Sequence, residues 1–174
     1  MRPATERLYD YRSVGLLDEQ ASQDALTVPA QRLNVAWEPG GLVPALATAR
    51  GYPYFLQAIG KHVWDLAPSS PITLADVELG LIVARREVDD GLHRSRWERA
   101  TPAQRDVMRA LADLGGGQAA AIAEIAKAMR KPRTSDLSVA RNELIKKGLV
   151  YAPKRGLLAF TVPGIDDFIT RQTA

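Results

Sequence analysis

The segment from Ser135 to Phe160 constrains the fold of this chain more than any other. It reads SDLSVARNELIKKGLVYAPKRGLLAF. With about 100° of rotation per helical residue, Leu137, Ala140 and Leu144 fall on one face of a predicted helix. The opposite face carries Ser135, Val139, Asn142 and Lys146. The segment therefore predicts an amphipathic helix that packs on one side and meets a ligand with the other.

This predicted helix is followed by a glycine that ends it and then by a basic hairpin. Two lysines occupy its last turn, where cations suit the negative end of the helix dipole, and Gly148 then ends it. Two apolar, β-prone runs, Leu149 to Ala152 and Leu157 to Thr161, flank a turn that carries Lys154 and Arg155. The pattern predicts a β-hairpin with two cations at its tip.

Two further helices precede the amphipathic one. The sequence from Thr101 to Gln104 has the form of a capping box with proline at the first helical position, which predicts a helix to about Leu114. A second short helix is predicted by apolar residues at helical spacing, Ile122, Ile125, Ala126 and Met129, and the third begins near Thr134 after a proline. The order helix, helix, helix, hairpin predicts a winged helix-turn-helix, with a last amphipathic piece from Ile165 to Arg171 packing against it.

Charge divides the chain in the same way. Residues 96–174 contain 14 Lys or Arg against 8 Asp or Glu, a net charge of +6, whereas residues 1–95 contain 9 against 12, a net charge of −3. Within residues 127–155, nine cations face only Asp136 and Glu143. Such a local excess is typical of a surface that binds phosphates.

The first half of the chain predicts several helices. Asp18 caps the first, Pro29 forces a kink or a turn near residues 31–33, and Pro39 opens a second helix with Leu42, Leu46 and Ala49 as its buried stripe. Gly51 ends it, Tyr52-Pro53 opens a third, and Thr73 with Asp76 opens a fourth that continues into the charged stretch 85–99. Leu8 to Val14 alternates like a strand. We therefore expect a mainly α protein, with a helical lid-type bundle in residues 1–95 and the winged helix in residues 96–174.

Composition narrows the class of protein. The chain has no cysteine, which excludes disulfides and thiolate metal sites, and its two separated histidines give no metal-binding motif. We see no signal peptide and no apolar run long enough to span a bilayer, so we expect a cytoplasmic protein without membrane contact.

Three segments together resemble a known family: VGLLDEQASQDAL, ARGYPYFLQAIGKHVW and LSVARNELIKKGLVYAPKRGLLAFTVPGIDDFI. They are similar to the C-terminal half of bacterial and archaeal ATPases of the AAA+ and signal-transduction class, in which a nucleotide-binding core precedes a helical lid and a winged helix. The resemblance implies that Gly51, Tyr52 and Pro53 open a lid helix near a nucleotide whenever an ATPase core is present.

The chain itself lacks the motifs of ATP hydrolysis. It has neither a glycine-rich loop followed by Lys and Ser or Thr, nor an acidic residue at a strand end, and no other catalytic set is evident. We therefore expect a fragment or truncated relative that is no enzyme by itself and needs no cofactor. ATPase activity would require a core supplied elsewhere.

Two functions remain open at this stage. One is a module that binds double-stranded DNA, and the other is a regulatory module that docks on an ATPase core, on another protein or on a second copy. The predicted DNA-binding set consists of Arg133, Thr134, Ser135, Ser138, Val139, Arg141, Asn142, Lys146, Lys154 and Arg155. Salt dependence separates the two functions, because a phosphate-driven complex weakens steeply with salt.

Overall fold

The computed structural model describes residues 15–173, and the predicted strand from Leu8 to Val14 lies outside that range. The described residues form two compact units, and the division along the sequence falls between Gly80 and Leu81. The described residues are mainly helical, with a small three-stranded antiparallel sheet in the second unit. This confirms the predicted fold class, while the assignment of residues 1–95 to a lid-like domain and of residues 96–174 to a winged-helix domain stays a prediction.

The first unit contains α1 (Glu19–Gln31), α2 (Pro39–Ala49), α3 (Pro53–Leu66) and the first part of α4 (Leu74–Val88). The second unit holds the end of α4, a π-helical turn (Asp89–His93), α5 (Arg94–Glu98), α6 (Pro102–Gly115), β1 (Ala120–Ala121), α7 (Ile122–Ala128), a 3₁₀ turn (Thr134–Leu137), α8 (Ser138–Lys146), β2 (Val150–Tyr151), β3 (Leu157–Phe160) and α9 (Ile165–Thr173).

The predicted caps explain where the helices of the first unit begin. The Asp18 side chain accepts a hydrogen bond from the Ala21 N–H at 2.7 Å, which satisfies a backbone donor at the start of α1. Asp76 accepts hydrogen bonds from the backbone and the hydroxyl of Thr73 at 2.9 and 2.7 Å. These bonds lower the pKa of the Asp76 carboxyl, because they favour its charged form. Pro29 lies within the last part of α1, and the turn follows at residues 32–34.

The buried stripe of α2 differs from the prediction by one position. Gly41, Ala45 and Ala49 are buried, whereas Leu42 and Leu46 are only half-buried. The physical reason is close packing: a Cβ atom on Gly41 would lie 3.0 Å from Cγ2 of the α4 residue Val77. A glycine therefore lies against the neighbouring helix at this point of the stripe, which hydrophobicity alone does not indicate.

The second unit has one continuous core beneath α8 and the hairpin. The Thr101 N–H donates to Oε1 of Gln104 at 3.0 Å, which confirms the predicted start of α6. The core combines residues from α6, α7, α8, the hairpin and α9, with these fully buried side chains: Met108, Leu111, Ile125, Leu144, Leu149, Leu158, Ile165, Phe168 and Ile169. The predicted last helix therefore packs back on this unit through its apolar face.

The sheet has the order β1-β3-β2, and both pairings are antiparallel. Val150 pairs with Phe160 across the predicted hairpin, and Ala120 pairs with Leu158 on the other side of β3. The Thr161 hydroxyl donates to the Gly148 carbonyl oxygen at 2.7 Å, which closes the base of the hairpin beside the end of α8. The hairpin is thus fixed to the helix that precedes it and to the strand that leads into α7.

A candidate nucleic-acid interface

The outer face of α8 and of the 3₁₀ turn before it is open to solvent. Leu137 and Leu144 are buried, as the helical pattern predicted, whereas the side chain of Val139 is 76% exposed. Ser135, Asn142 and Lys146 are also exposed, and Thr134 and Arg133 continue this surface toward α7. Ser138 and Arg141 are half-buried beside it. The predicted ligand-facing residues therefore lie on an accessible surface.

One lysine of this helix is used inside the unit instead. Nζ of Lys147 donates to the carbonyl oxygen of Arg99 and to Oε1 of Gln104, both at 2.8 Å. In return, Nη2 of Arg99 donates to the carbonyl oxygen of Lys147 at 3.2 Å. These contacts fasten the end of α8 to the start of α6. The sequence pattern could not separate this lysine from its neighbour Lys146, because both partners lie more than 40 residues away along the chain.

The two acidic residues of the basic stretch are both engaged. Glu143 accepts from Nζ of Lys146 at 2.7 Å, and this hydrogen bond lowers the pKa of the Glu143 carboxyl and raises that of the Lys146 ammonium. Asp136 accepts from the backbone N–H of Arg133 at 3.3 Å, at the start of the 3₁₀ turn. Both pairings are at the surface, so water screens them and they limit the positive field only locally.

The hairpin carries its two cations at an exposed tip. Lys154 and Arg155 are exposed, and the turn closes through a hydrogen bond of 3.1 Å from the Leu157 N–H to the Lys154 carbonyl oxygen. Gly156 has φ of +83°, which glycine adopts without a steric cost. Its carbonyl oxygen accepts from the Ile122 N–H at 2.9 Å, so the tip is also tied to the beginning of α7.

Arginine and asparagine are paired on α8. Nε and Nη2 of Arg141 lie 3.4 and 3.1 Å from Oδ1 of Asn142 and donate to it. The Arg141 stem is half-buried, as expected for a long side chain that lies along apolar neighbours. The amide NH₂ of Asn142 takes no part in this pair and keeps its donors for a polar ligand.

Most cations of this region have no carboxylate partner. Within residues 15–173, no Asp or Glu oxygen lies within salt-bridge distance of six exposed side chains: Lys127, Arg130, Lys131, Arg133, Lys154 and Arg155. The prediction of a binding set included the last three of these. It omitted the first three, although the charge count of residues 127–155 already contained them.

The triplet Gly51-Tyr52-Pro53, which the family resemblance places near a nucleotide, lies in the first unit at the junction of α2 and α3. Gly51 has φ of +71°, and a Cβ atom there would lie 2.4 Å from the carbonyl oxygen of Leu17. Tyr52 is the N-cap residue of α3, its ring packs edge-on against Phe55 at 5.1 Å, and Pro53 is the first helical residue. Packing and helix initiation therefore account for these residues within the chain, and a contact with nucleotide stays a prediction.

Comparisons with known proteins give matches to one family model and to several solved structures. Residues 90–169 match a family model described as a domain of unknown function, DUF8462. No curated protein matches the chain. Among solved structures, the chain is similar to a RuvB mutant from Thermotoga maritima, with 16% sequence identity and a TM-score of 0.42. The match covers 84% of this chain and 47% of that one, so the chain spans about half the length of its structural neighbour.

No helix in residues 15–173 is long and apolar enough to cross a membrane. In the same range, no group of three or more His, Asp or Glu side chains is arranged to hold a metal ion.

Proposed function

We propose that the second unit is a winged-helix module that binds double-stranded DNA, and that the chain serves as a regulatory part of an AAA+ ATPase-like system. The observation that supports this most directly is the accessible basic surface around α8 and the hairpin tip. Its only acidic residues are engaged in local hydrogen bonds, while most of its cations have no carboxylate partner among the described residues. Release of counterions from DNA phosphates is the physical gain from such a surface.

The exposed face of α8 is assigned to the major groove. Ser135, Val139, Asn142 and Lys146 then face base edges, and Lys154 with Arg155 reach the backbone or the adjacent minor groove. The Asn142 amide can pair bidentately with adenine once its oxygen leaves Arg141, and Val139 can contact a thymine methyl group. Arg133, Thr134, Ser138 and Arg141 are assigned to phosphates at the flank of this helix.

A double substitution at the hairpin tip tests the proposal. Lys154→Ala/Arg155→Ala should weaken binding to all duplex sequences and reduce the slope of log K against log salt by roughly 1 to 2 units, because each phosphate contact contributes about 0.9. The measurement is fluorescence anisotropy with a labelled duplex at several salt concentrations. Circular dichroism should show an unchanged fold, since both side chains are exposed. Wild-type protein without affinity for duplex DNA at low salt would refute the DNA function.

A docking module is the second candidate. It is favoured by exposed apolar side chains in the same unit, namely Val139 on α8 and Tyr151 on β2. Protein interfaces are enriched in aromatic anchors at their centres. A complex with an ATPase core or with a second copy would then depend on these two residues and only weakly on salt. Tyr151→Ser should weaken such a complex while leaving DNA binding largely intact, because Tyr151 is exposed and has no assigned DNA contact.

We further propose that the chain does not hydrolyse ATP by itself. These 174 residues have no phosphate-cradling loop, so magnesium-dependent turnover requires a nucleotide-binding core that they do not contain. A phosphate-release assay on repurified protein, with and without duplex DNA, measures this. Turnover that co-elutes with the protein through two different columns would contradict the proposal.

A further inference from the structure

A basic groove lies at the C-terminal end of α7, apart from the hairpin tip. It is an open surface cavity of about 540 Å³ between the last turn of α7 and the chain that leads into the 3₁₀ turn. Three cations line it, Lys127, Arg130 and Lys131, together with the hydroxyl-bearing residue Thr134. No acidic residue lines this cavity.

The backbone at this groove places an arginine where glycine is the usual choice. The Lys131 N–H donates to the Ala126 carbonyl oxygen at 2.8 Å, and the Arg130 N–H donates to the Lys127 carbonyl oxygen at 3.0 Å. This pair of bonds is a Schellman motif, whose residue after the C-cap adopts the left-handed conformation. Arg130 occupies it with φ of +54°, which is sterically unfavourable for a residue with a Cβ atom.

The motif brings the side chains of residues 127, 130 and 131 to one cavity. Three like charges at one place repel one another, and no carboxylate within residues 15–173 lies within salt-bridge distance of any of them. Both the repulsion between the cations and the left-handed conformation of Arg130 raise the free energy of the folded, unbound protein. An anion in the groove removes the first of these costs and gives Arg130 a partner suited to its guanidinium.

The position of the groove indicates which anion fits. Ile122, the first residue of α7, is hydrogen-bonded to Gly156 of the hairpin tip, while the groove lies at the last turn of the same helix. The seven residues of α7 span roughly 10 Å. This separation is of the same order as the major-groove width of B-DNA, about 12 Å. Two cationic sites at the two ends of α7 are therefore spaced to contact the backbones on either side of one groove.

We propose that this groove binds a backbone phosphate of the duplex and forms a second anchor opposite the hairpin tip. Arg130 and Lys127 hold the phosphate oxygens, Lys131 adds charge, and the Thr134 hydroxyl donates a further hydrogen bond. The inference rests on the proposed DNA function. It adds three cations to the contact surface and assigns the unusual arginine a role in binding.

Arg130→Gly provides a sharp test, because it acts on stability and affinity in opposite directions. Glycine relieves the left-handed conformation, so the thermal midpoint should rise by about 1 to 4 °C. Loss of the guanidinium should weaken duplex binding roughly five- to tenfold in 0.1 M salt and reduce the salt slope by about 0.9. A role in the fold alone would not combine higher stability with weaker binding.

Two further variants control for overall charge. Lys127→Ala/Lys131→Ala should also reduce affinity and salt slope. Arg85→Ala/Arg86→Ala removes the same charge from exposed positions of α4 outside the groove, and it should change the slope much less. All proteins are titrated with the same labelled 20-base-pair duplex at four salt concentrations.

The outcomes separate this inference from the function on which it rests. Suppose that wild-type protein binds the duplex, that Lys154→Ala/Arg155→Ala binds it more weakly, and that the groove variants bind it like wild type. The groove assignment is then refuted and the DNA function stands. An equal loss in the α4 variant would also refute it, because the effect would then be one of net charge. If wild-type protein binds no duplex, both proposals are refuted.

Discussion

The same substitution should affect different properties at the two adjacent lysines at the end of α8: stability at Lys147 and DNA binding at Lys146. Lys147 makes two hydrogen bonds of 2.8 Å to Arg99 and Gln104, whereas Lys146 is 72% exposed and has Glu143 as its one polar partner within residues 15–173. Replacement by methionine keeps much of the stem of either side chain and removes only the ammonium. We expect Lys147→Met to destabilise the second unit and Lys146→Met to weaken DNA binding.

The size of the first effect follows from the contacts that are lost. A hydrogen bond to a charged group contributes about 1.5 to 3 kcal/mol when well shielded. Lys147 is only half-buried, and Oε1 of Gln104 keeps its bond from the Thr101 N–H, so it is not left without a partner. We therefore expect a loss of about 1 to 2 kcal/mol in the free energy of unfolding, rather than the sum of two full bonds.

The size of the second effect follows from the charge that Lys146 carries into the major groove in the proposed complex. Loss of this ammonium between the DNA backbones should reduce the salt slope by up to about 0.9, whereas Lys147→Met should change it by less than about half of that amount. Urea unfolding gives the stability and anisotropy at several salt concentrations gives the slope. A larger shift of the urea midpoint for Lys146→Met, or a larger change of slope for Lys147→Met, would refute the assignment of the two lysines.

Three other substitutions test separate parts of the structure. Gly80→Ala should lower stability by about 1 to 3 kcal/mol, because its Cβ would lie 2.4 Å from Cγ2 and 2.9 Å from Cα of Val63, whereas Gly40→Ala, with open space around it, should be neutral or slightly stabilising in the same urea assay. Asp76→Asn should remove stability at neutral pH but not in acid: the folded pKa of this carboxyl lies below 3.8, so its contribution is present above that value and is lost as the pH falls through the folded pKa. A wild-type minus variant difference in urea midpoint that persists at pH 2 would contradict this. Asn142→Ala should cost on the order of 1 to 3 kcal/mol on a preferred DNA site and little elsewhere, so an equal loss on all sequences would show that it reads no base.

The sequence predicted those parts of the fold that depend on neighbouring residues. The caps at Asp18, Thr101 and Thr73 and the stop at Gly148 are local, because a side chain or a permitted φ angle decides them within one helical turn. The faces of α8 and α9 were predicted for a similar reason, since helical periodicity alone separates their apolar and polar sides.

The parts that were missed depend on distant residues. β1 consists of Ala120 and Ala121, which have no strand pattern and are paired only because β3 lies beside them. The structural role of Lys147 required knowledge of its partners in α5 and α6. Arg130 was counted only as a charge. Its place in the groove depends on its own left-handed backbone conformation, which sequence reasoning expects of glycine rather than of arginine.

The buried Trp97 gives the second unit its own optical signal. Its indole is 8% exposed, with the guanidinium carbons of Arg105 and Arg109 at 5.2 and 5.1 Å from the ring centroid. Trp37 and Trp64, the other two tryptophans, belong to the first unit. A Trp37→Phe/Trp64→Phe protein would therefore emit from Trp97 alone. Comparison of its fluorescence transition with the circular dichroism transition would show whether the two units unfold together or one after the other.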